Sequence, residues 1–188
     1  MADKSYNESI TTRAAFWYGE CLFRSGEYEK AQPYFEKYLK NTTSRTESEY
    51  NWAYYNLAYT YFMQAKYTQA NEWFRKYVQM EKENTVLLLD AYNRIGDAYF
   101  QQRSFDRALQ AYNQTISLGG TTAGVDYALY QKAFVLGLQG KCAEKIEQLG
   151  VLQTSFPKSA WVDDAMYETA RSYTSLHDNA KAIEIFKS

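Results

Sequence analysis

The stretch RSGEYEKAQPYFEKYLKN, Arg24–Asn41, sets apolar residues at Tyr28, Ala31, Phe35 and Tyr38. Steps of three and four residues mark one face of a helix. The face mixes one small residue with bulky aromatics, and a small residue in such a stripe lets a second helix approach closely. Wherever helices pair in the same way, the same need should return.

It returns four times. Counting from Gly19, Leu22 lies three residues on, Tyr28 nine, Ala31 twelve and Phe35 sixteen. From Ala58 the same offsets reach Tyr61, Tyr67, Ala70 and Phe74, and from Gly96 they reach Tyr99, Phe105, Ala108 and Tyr112. From Ala133 they give Leu136, Cys142, Lys145 and Leu149; from Ala170, Tyr173, Asn179, Ala182 and Phe186. The origins are 39, 38, 37 and 37 residues apart, and all five are small. Near-constant register of this kind marks a repeat architecture. Turn-like pairs divide each unit into two helical stretches: Ser25-Gly26, Ala65-Lys66, Arg103-Ser104, Gln139-Gly140 and His177-Asp178. One hairpin cannot bury its apolar face alone, so hairpins stack on one another. The spacing predicts an all-α solenoid of five helical hairpins at 12–45, 46–84, 85–120, 121–158 and 159–188, within a single array over 1–188.

Boundary residues agree with that division. Ser44 with Glu47, or Thr46 with Glu49, forms a capping box entering the helix toward Gln64. Gly119-Gly120 ends a helix, and Phe156-Pro157 followed by Ser159 ends one and caps the next. Pro33 removes a backbone donor soon after its helix begins, which predicts a late start or a slight kink there.

Composition excludes several classes. Apolar residues make up 46% and charged ones 23%, too hydrophobic and too nearly neutral for a disordered chain. No apolar run approaches the ~20 residues of a membrane span. A formal charge of −1, with Lys and Arg scattered among Asp and Glu, argues against nucleic acid as a partner. Tyrosine is unusually abundant at nineteen, and the scarcity of Pro, two in all, with few β-branched runs, favours helix throughout. MADKSYNESI is polar and does not read as a secretory leader.

The phrases YNLAYTYFMQAKYTQANEWF, YNRIGDAYFQQRSFDRALQAY and YETARSYTSLHDNAKAIEIF carry a small–large–aromatic–Ala–aromatic order. In this the chain resembles the tetratricopeptide repeat family over nearly all of residues 12–188. The resemblance implies a right-handed superhelical array whose first helices line a concave groove for extended peptides. The family repeat is commonly 34 residues; these are longer by three to five, with the excess between hairpins. The fourth repeat departs most, with Cys142 where an aromatic is usual and Lys145 where Ala is usual. SFPKSAWVDDAMYETARSY resembles the arrays of bacterial envelope proteins of the TolA-binding and outer-membrane assembly lipoprotein types. That finer likeness favours a periplasmic or envelope location over the cytoplasm, and a role in envelope assembly.

The sequence offers no constellation for catalysis, metal or cofactor. His177, the only histidine, sits in a turn with no nucleophile motif beside it, and reads as a solvated loop residue. Cys21 and Cys142 fall in different repeats and read as small, half-buried apolar residues. LGGTTAG at 118–124 lacks the Lys-Ser/Thr of a phosphate loop. Asp163 and Asp164 open a helix, where carboxylates suit the dipole.

The first helices carry a second stripe, at offsets −6, −3, +1 and +4 from the small residue. The family resemblance places this stripe in the groove. Its candidate ligand-binding residues are Phe16, Trp52, Tyr55, Tyr59, Phe62, Asn93, Asp97, Tyr127, Tyr130 and Phe134. Aromatics in repeats two and four flank the acidic Asp90 and Asp97, a pattern suited to apolar side chains beside a basic or amide group. The same rings can instead pack on neighbouring first helices. The family's carboxylate clamp, paired Lys and Asn, has Phe16/Glu20, Tyr55/Tyr59 and Asn93/Asp97 in its slots and is absent. The expected role is a non-catalytic scaffold for a protein or peptide partner. Carbohydrate or small-ligand binding and a self-assembling array are the alternatives. Because AKAIEIFKS stops partway through a second helix, the chain is expected to be a piece of a longer protein. Ala182, Ile183 and Phe186 could then mediate self-association.

The repeat fixes where size cannot change. Ala58→Leu or Ala70→Leu should destabilise by ~1–3 kcal/mol through overpacking. Thermal midpoints unchanged in both variants would show that the helix crossing lies elsewhere.

Overall fold

Five residues at the repeat spacing, Gly26, Ala65, Arg103, Gly140 and His177, hold the left-handed backbone conformation, with φ of 76°, 57°, 56°, 74° and 61°. Each stops a helix in the same way. Its own N–H donates to the carbonyl three residues back, as from Ala65 to Phe62 at 2.9 Å and from Arg103 to Phe100 at 2.9 Å. The next N–H donates five residues back, at 2.9 Å in all five turns, from Glu27 to Leu22, Lys66 to Tyr61, Ser104 to Tyr99, Lys141 to Leu136 and Asp178 to Tyr173. These paired bonds satisfy carbonyls that a helix end leaves open, and they reverse the chain within three residues.

Residues 2–41, 45 and 48–187 are described in this computed structural model, with side chains from Ile10 onward. They form α1 (Ala2–Arg24), α2 (Tyr28–Lys40), α3 (Tyr50–Met63), α4 (Tyr67–Met80) and α5 (Thr85–Gln101). There follow α6 (Phe105–Gly119), α7 (Val125–Leu138), α8 (Cys142–Ser155), α9 (Val162–Ser175) and α10 (Asn179–Lys187). No strand occurs among the described residues. The helices pair in chain order as five hairpins, the arrangement that the turn pairs predict. Two compact units result, 1–84 and 85–188, and the division falls between the second and third repeats.

In the first unit, α1 packs on α2, α2 on α3 and α3 on α4. Ala31, Phe35, Ala58, Ala70 and Phe74, all repeat-signature residues, are wholly buried. A Cβ at Gly19 would lie 3.1 Å from Tyr34 Cβ and 3.2 Å from the Phe35 ring, so the crossing leaves little room for one. In the second unit the crossing of α5 and α6 is tighter. A Cβ at Gly96 would lie 2.5 Å from the Tyr112 ring. Ala108, Tyr112, Ala128 and Val135 form one buried cluster, and Leu89, Val125, Leu129, Leu149, Leu152 and Ala165 another. Ala182 of α10 is buried, whereas Ile183 and Phe186 are exposed.

Two sequence expectations change, and a third lies outside the described residues. The helix carrying Pro33 starts at Tyr28, in step with the other second helices, so there is no late start. Pro33 sits on the exposed face of α2, where water can meet the Glu29 carbonyl that it leaves without a helical donor. Cys21 is exposed rather than half-buried, while Cys142 is half-buried as expected; both are free thiols. The two capping boxes rest on Ser44, Thr46 and Glu47, which lie outside the described residues. Ser159 accepts the Trp161 N–H at 3.2 Å just before α9, and its own hydroxyl donates to Asp126 at 2.6 Å.

Three of the five left-handed positions carry a side chain, at a cost of roughly 1–2 kcal/mol relative to the ordinary helical region. Arg103→Gly should therefore raise stability by about 0.5–1 kcal/mol, and Gly140→Ala should lower it by about 1 kcal/mol. Denaturant midpoints measure both; no change in either would contradict the turn geometry.

Candidate functional site

α3 is apolar on nearly every side, YNWAYYNLAYTYFM, and it therefore has more aromatic surface than one core can take. Ala53, Leu57, Ala58 and Tyr61 go to the interior. The other face carries Trp52, Tyr55, Tyr59 and Phe62. The Tyr55 ring lies 5.3 Å from Tyr77 and 5.8 Å from Phe74. Tyr59 meets Phe23 of α1 at 5.9 Å, edge to face, and Phe62 meets Tyr67 at 5.5 Å. These three rings are half-buried, joined in a ladder that runs from one hairpin to the next. Trp52 stands apart at 42% exposure.

Phe16 belongs to the core, not to a groove. It is wholly buried, 5.3 Å from Tyr38 and 5.9 Å from Phe35. A residue three before the origin lies roughly 60° from it around the helix, so its neighbours decide whether it is covered: Phe35 and Tyr38 enclose Phe16, whereas Tyr55 and Tyr130 stay half-buried. Asn93, at the same repeat position, is also buried, and its amide donates to the Gly124 carbonyl at 2.9 Å and so holds the loop before α7.

Asp97 is likewise turned to internal use, and of the acidic centre expected from sequence Asp90 stays half-buried, 3.5 Å from Arg94 Nε. Its Oδ1 accepts from the hydroxyls of Tyr112 at 2.7 Å and Tyr127 at 2.9 Å, and Oδ2 pairs with Arg94 Nη1 at 2.6 Å. The Arg94 guanidinium also lies over the Tyr127 ring, 5.2 Å from its centre. Burial pushes the Asp97 carboxyl above its ordinary range, against the pull of Arg94 and the two hydroxyls. Burial and the neighbouring Asp97 push both tyrosine hydroxyls up as well. The network ties α5 to α6 and α7. In the first unit a carboxylate at the same repeat position, Glu20, accepts from Asn56 of α3 at 2.5 Å.

Around that network the second unit keeps its other predicted aromatics partly open. Tyr130 stacks on Trp161 at 4.8 Å, Tyr127 meets the same indole at 5.6 Å, and both are half-buried. Phe134 is 39% exposed, with one flank 5.9 Å from Phe100.

A wide opening lies in the first unit, where sequence reasoning placed only Trp52. A cavity of 660 Å³ is bounded by Trp17, Glu49, Asn51, Trp52, Met80 and Glu81. Trp17, 44% exposed, lies two residues before the repeat origin and so points well away from the core. A tryptophan at such a position was the available signal. Glu49 is buried and pairs with Arg13 at 2.9 Å; burial would raise its carboxyl, and the Arg13 hydrogen bond is the main influence that brings it below the usual range. Glu81 Oε1 accepts three backbone N–H groups, from Lys82 at 3.1 Å and from Glu83 and Asn84 at 2.9 Å each. Those bonds, that from Asn84 first, hold the Glu81 carboxyl below its ordinary range. Both carboxylates of the cavity wall are thus engaged within the fold, and the indoles are the exposed part of its lining.

Among the described residues no cluster of His, Cys, Asp and Glu could hold a metal ion, and no helix is long and apolar enough to cross a membrane. Two tetratricopeptide repeat models match the chain, at residues 11–83 and 89–118, together more than half of it. No curated relative matches in sequence. Among solved structures, a MamA protein aligns with a TM-score of 0.77 at 20% identity, over 95% of this chain and 90% of that one. YrrB, described as a tetratricopeptide repeat protein with an unusual peptide-binding site, aligns with a TM-score of 0.70 at 21% identity, over 100% and 90%. The apo form of RapI aligns with a TM-score of 0.79 at 11% identity, over 94% of this chain and 68% of that one. At these identities the likeness is one of fold.

The Glu81 turn can be tested through pH. Its carboxyl is depressed in the folded state, so its contribution is present above the ordinary glutamate range and is lost as pH falls through the lowered value. Glu81→Gln should cost about 1–2 kcal/mol at neutral pH and flatten the loss of stability below roughly pH 4. Equal acid profiles for the two proteins would remove the turn's role.

Proposed function

Because this chain belongs to the tetratricopeptide repeat family, we propose that it is a non-catalytic protein-interaction scaffold, holding a peptide or protein partner on the aromatic faces of its first helices. The observation that carries the reading is the pair of exposed indoles, Trp17 and Trp52, beside a 660 Å³ cavity. Trp17 and Trp52 are 44% and 42% exposed, and Trp17 keeps one edge contact, with Phe16 of its own helix at 5.1 Å. Indoles half in water, beside fixed carboxylates and an asparagine, have the mixed character of binding hot spots. Partner side chains suited to that surface are apolar or aromatic, with an amide or basic group to meet Glu49, Asn51 or Glu81. The likeness of SFPKSAWVDDAMYETARSY to bacterial envelope arrays supports an envelope location and a role in assembly there.

Peptides selected from a random library displayed on phage test the reading directly. Trp17→Ala and Trp52→Ala should each weaken such peptides at least about tenfold, roughly 1.4 kcal/mol, with thermal midpoints little changed. Failure to select any peptide, or binding only of soluble oligosaccharides, would overturn it.

A further inference from the structure

The fourth repeat breaks the pattern at positions that come together in space. In the first three hairpins the residue four past the origin is Phe, and its ring meets an aromatic at the head of the second helix. Those pairs are Phe23–Tyr28 at 5.6 Å, Phe62–Tyr67 at 5.5 Å and Phe100–Phe105 at 6.0 Å. In the fourth hairpin Gly137 and Cys142 occupy both places, and Lys145 replaces the crossing alanine. The missing rings leave a cavity of 350 Å³ lined by Phe134, Gly137, Cys142, Lys145, Glu168 and Arg171.

Lys145 is only 8% exposed. A Cβ at Gly137 would lie 3.0 Å from Lys145 Cδ, so the lysine stem crosses bare backbone that no other residue type would leave open. Its ammonium donates to Glu168 Oε2 at 2.5 Å, and Arg171 Nη1 pairs with the other oxygen at 2.8 Å. One carboxylate therefore serves two cations, leaving one positive charge in excess. Glu168 also takes only one of the three ammonium donors. A nearly buried cation with donors to spare, at the wall of an open cavity, is set for a second anion.

We propose that this socket receives an acidic side chain, Asp or Glu, from a partner peptide. The carboxylate accepts from Lys145 and Arg171, and the adjoining methylene groups lie against Phe134. The inference rests on the scaffold reading and adds to it the chemistry of one recognised residue. Cys142 lines the socket and reports its occupancy.

The probes are phage-selected peptides, sorted by whether they shield Cys142 from iodoacetamide in a Cys21→Ser background. Shielding peptides should share an Asp or Glu whose replacement by Asn or Gln lowers affinity at least about tenfold. That difference should vanish in Arg171→Gln, an exposed position that leaves the core intact, and in Lys145→Met. If Lys145→Met loses helicity, Arg171→Gln alone decides. Shielding peptides that tolerate the amide replacement, or that lose affinity only when the C-terminal carboxylate is amidated, would overturn the socket. So would the absence of any shielding peptide among those selected. In each of these cases Trp17- or Trp52-dependent peptides would leave the scaffold reading standing, and an empty selection would end both.

Discussion

Close approach of two helices at a small residue is the constraint on which the rest depends. Once Gly19, Ala58, Gly96, Ala133 or Ala170 meets the helix that follows it, the large residue sixteen on must fill the space beside the crossing. Phe35, Phe74, Tyr112 and Leu149 do so with almost no exposure. Short turns are then obligatory, since a hairpin this tight has no slack. The chain meets that demand with a left-handed residue in every turn, even where it is Ala65, Arg103 or His177 rather than glycine. The strain is accepted at the same repeat position each time because the paired hydrogen bonds that end the helix require it.

A chain with this many aromatics cannot bury all of them in one seam per hairpin. Tyr55, Tyr59 and Phe62 solve the surplus by packing on one another and on the second helices, half in water. Buried polar groups are matched in the same economical way. Asp97 joins two tyrosines and an arginine, so that three helices are fastened by one carboxylate whose charge is expensive to bury. Left open beside these internal demands are two indoles over a cavity in one unit, and a ring-depleted socket with an extra cation in the other. The proposed recognition chemistry uses those leftovers rather than the stripe as a whole.

The fold was legible because its cause is periodic. Residue spacing alone located all five hairpins and all five turns, and the tight crossings at Gly19 and Gly96 followed from it. The site was less legible, because facing direction in a stack depends on the next hairpin as well as on the helix itself. Phe16 and Asn93 sit at an angle that one helix would leave half open, and packing closes over them. Asp97 lies one residue past the small origin, off the core stripe, yet Tyr112 of α6 and Tyr127 of α7 both reach it. Trp17 escaped notice for the opposite reason, lying off both stripes. Lys145 stood out in the sequence as a departure from the family pattern, but only the missing rings at Gly137 and Cys142 show what the departure makes.

The central claim is that Trp17 and Trp52 are held open for a partner. Indole N–H signals offer the most direct measurement, because the chain has four tryptophans and one serves as an internal reference. Trp73 packs against Tyr54 at 5.4 Å with Lys76 over its ring, and is already partnered within the fold. On titration with a selected peptide, the Trp17 and Trp52 indole resonances should shift while that of Trp73 stays in place. Saturable binding that leaves both Trp17 and Trp52 unmoved would contradict the account.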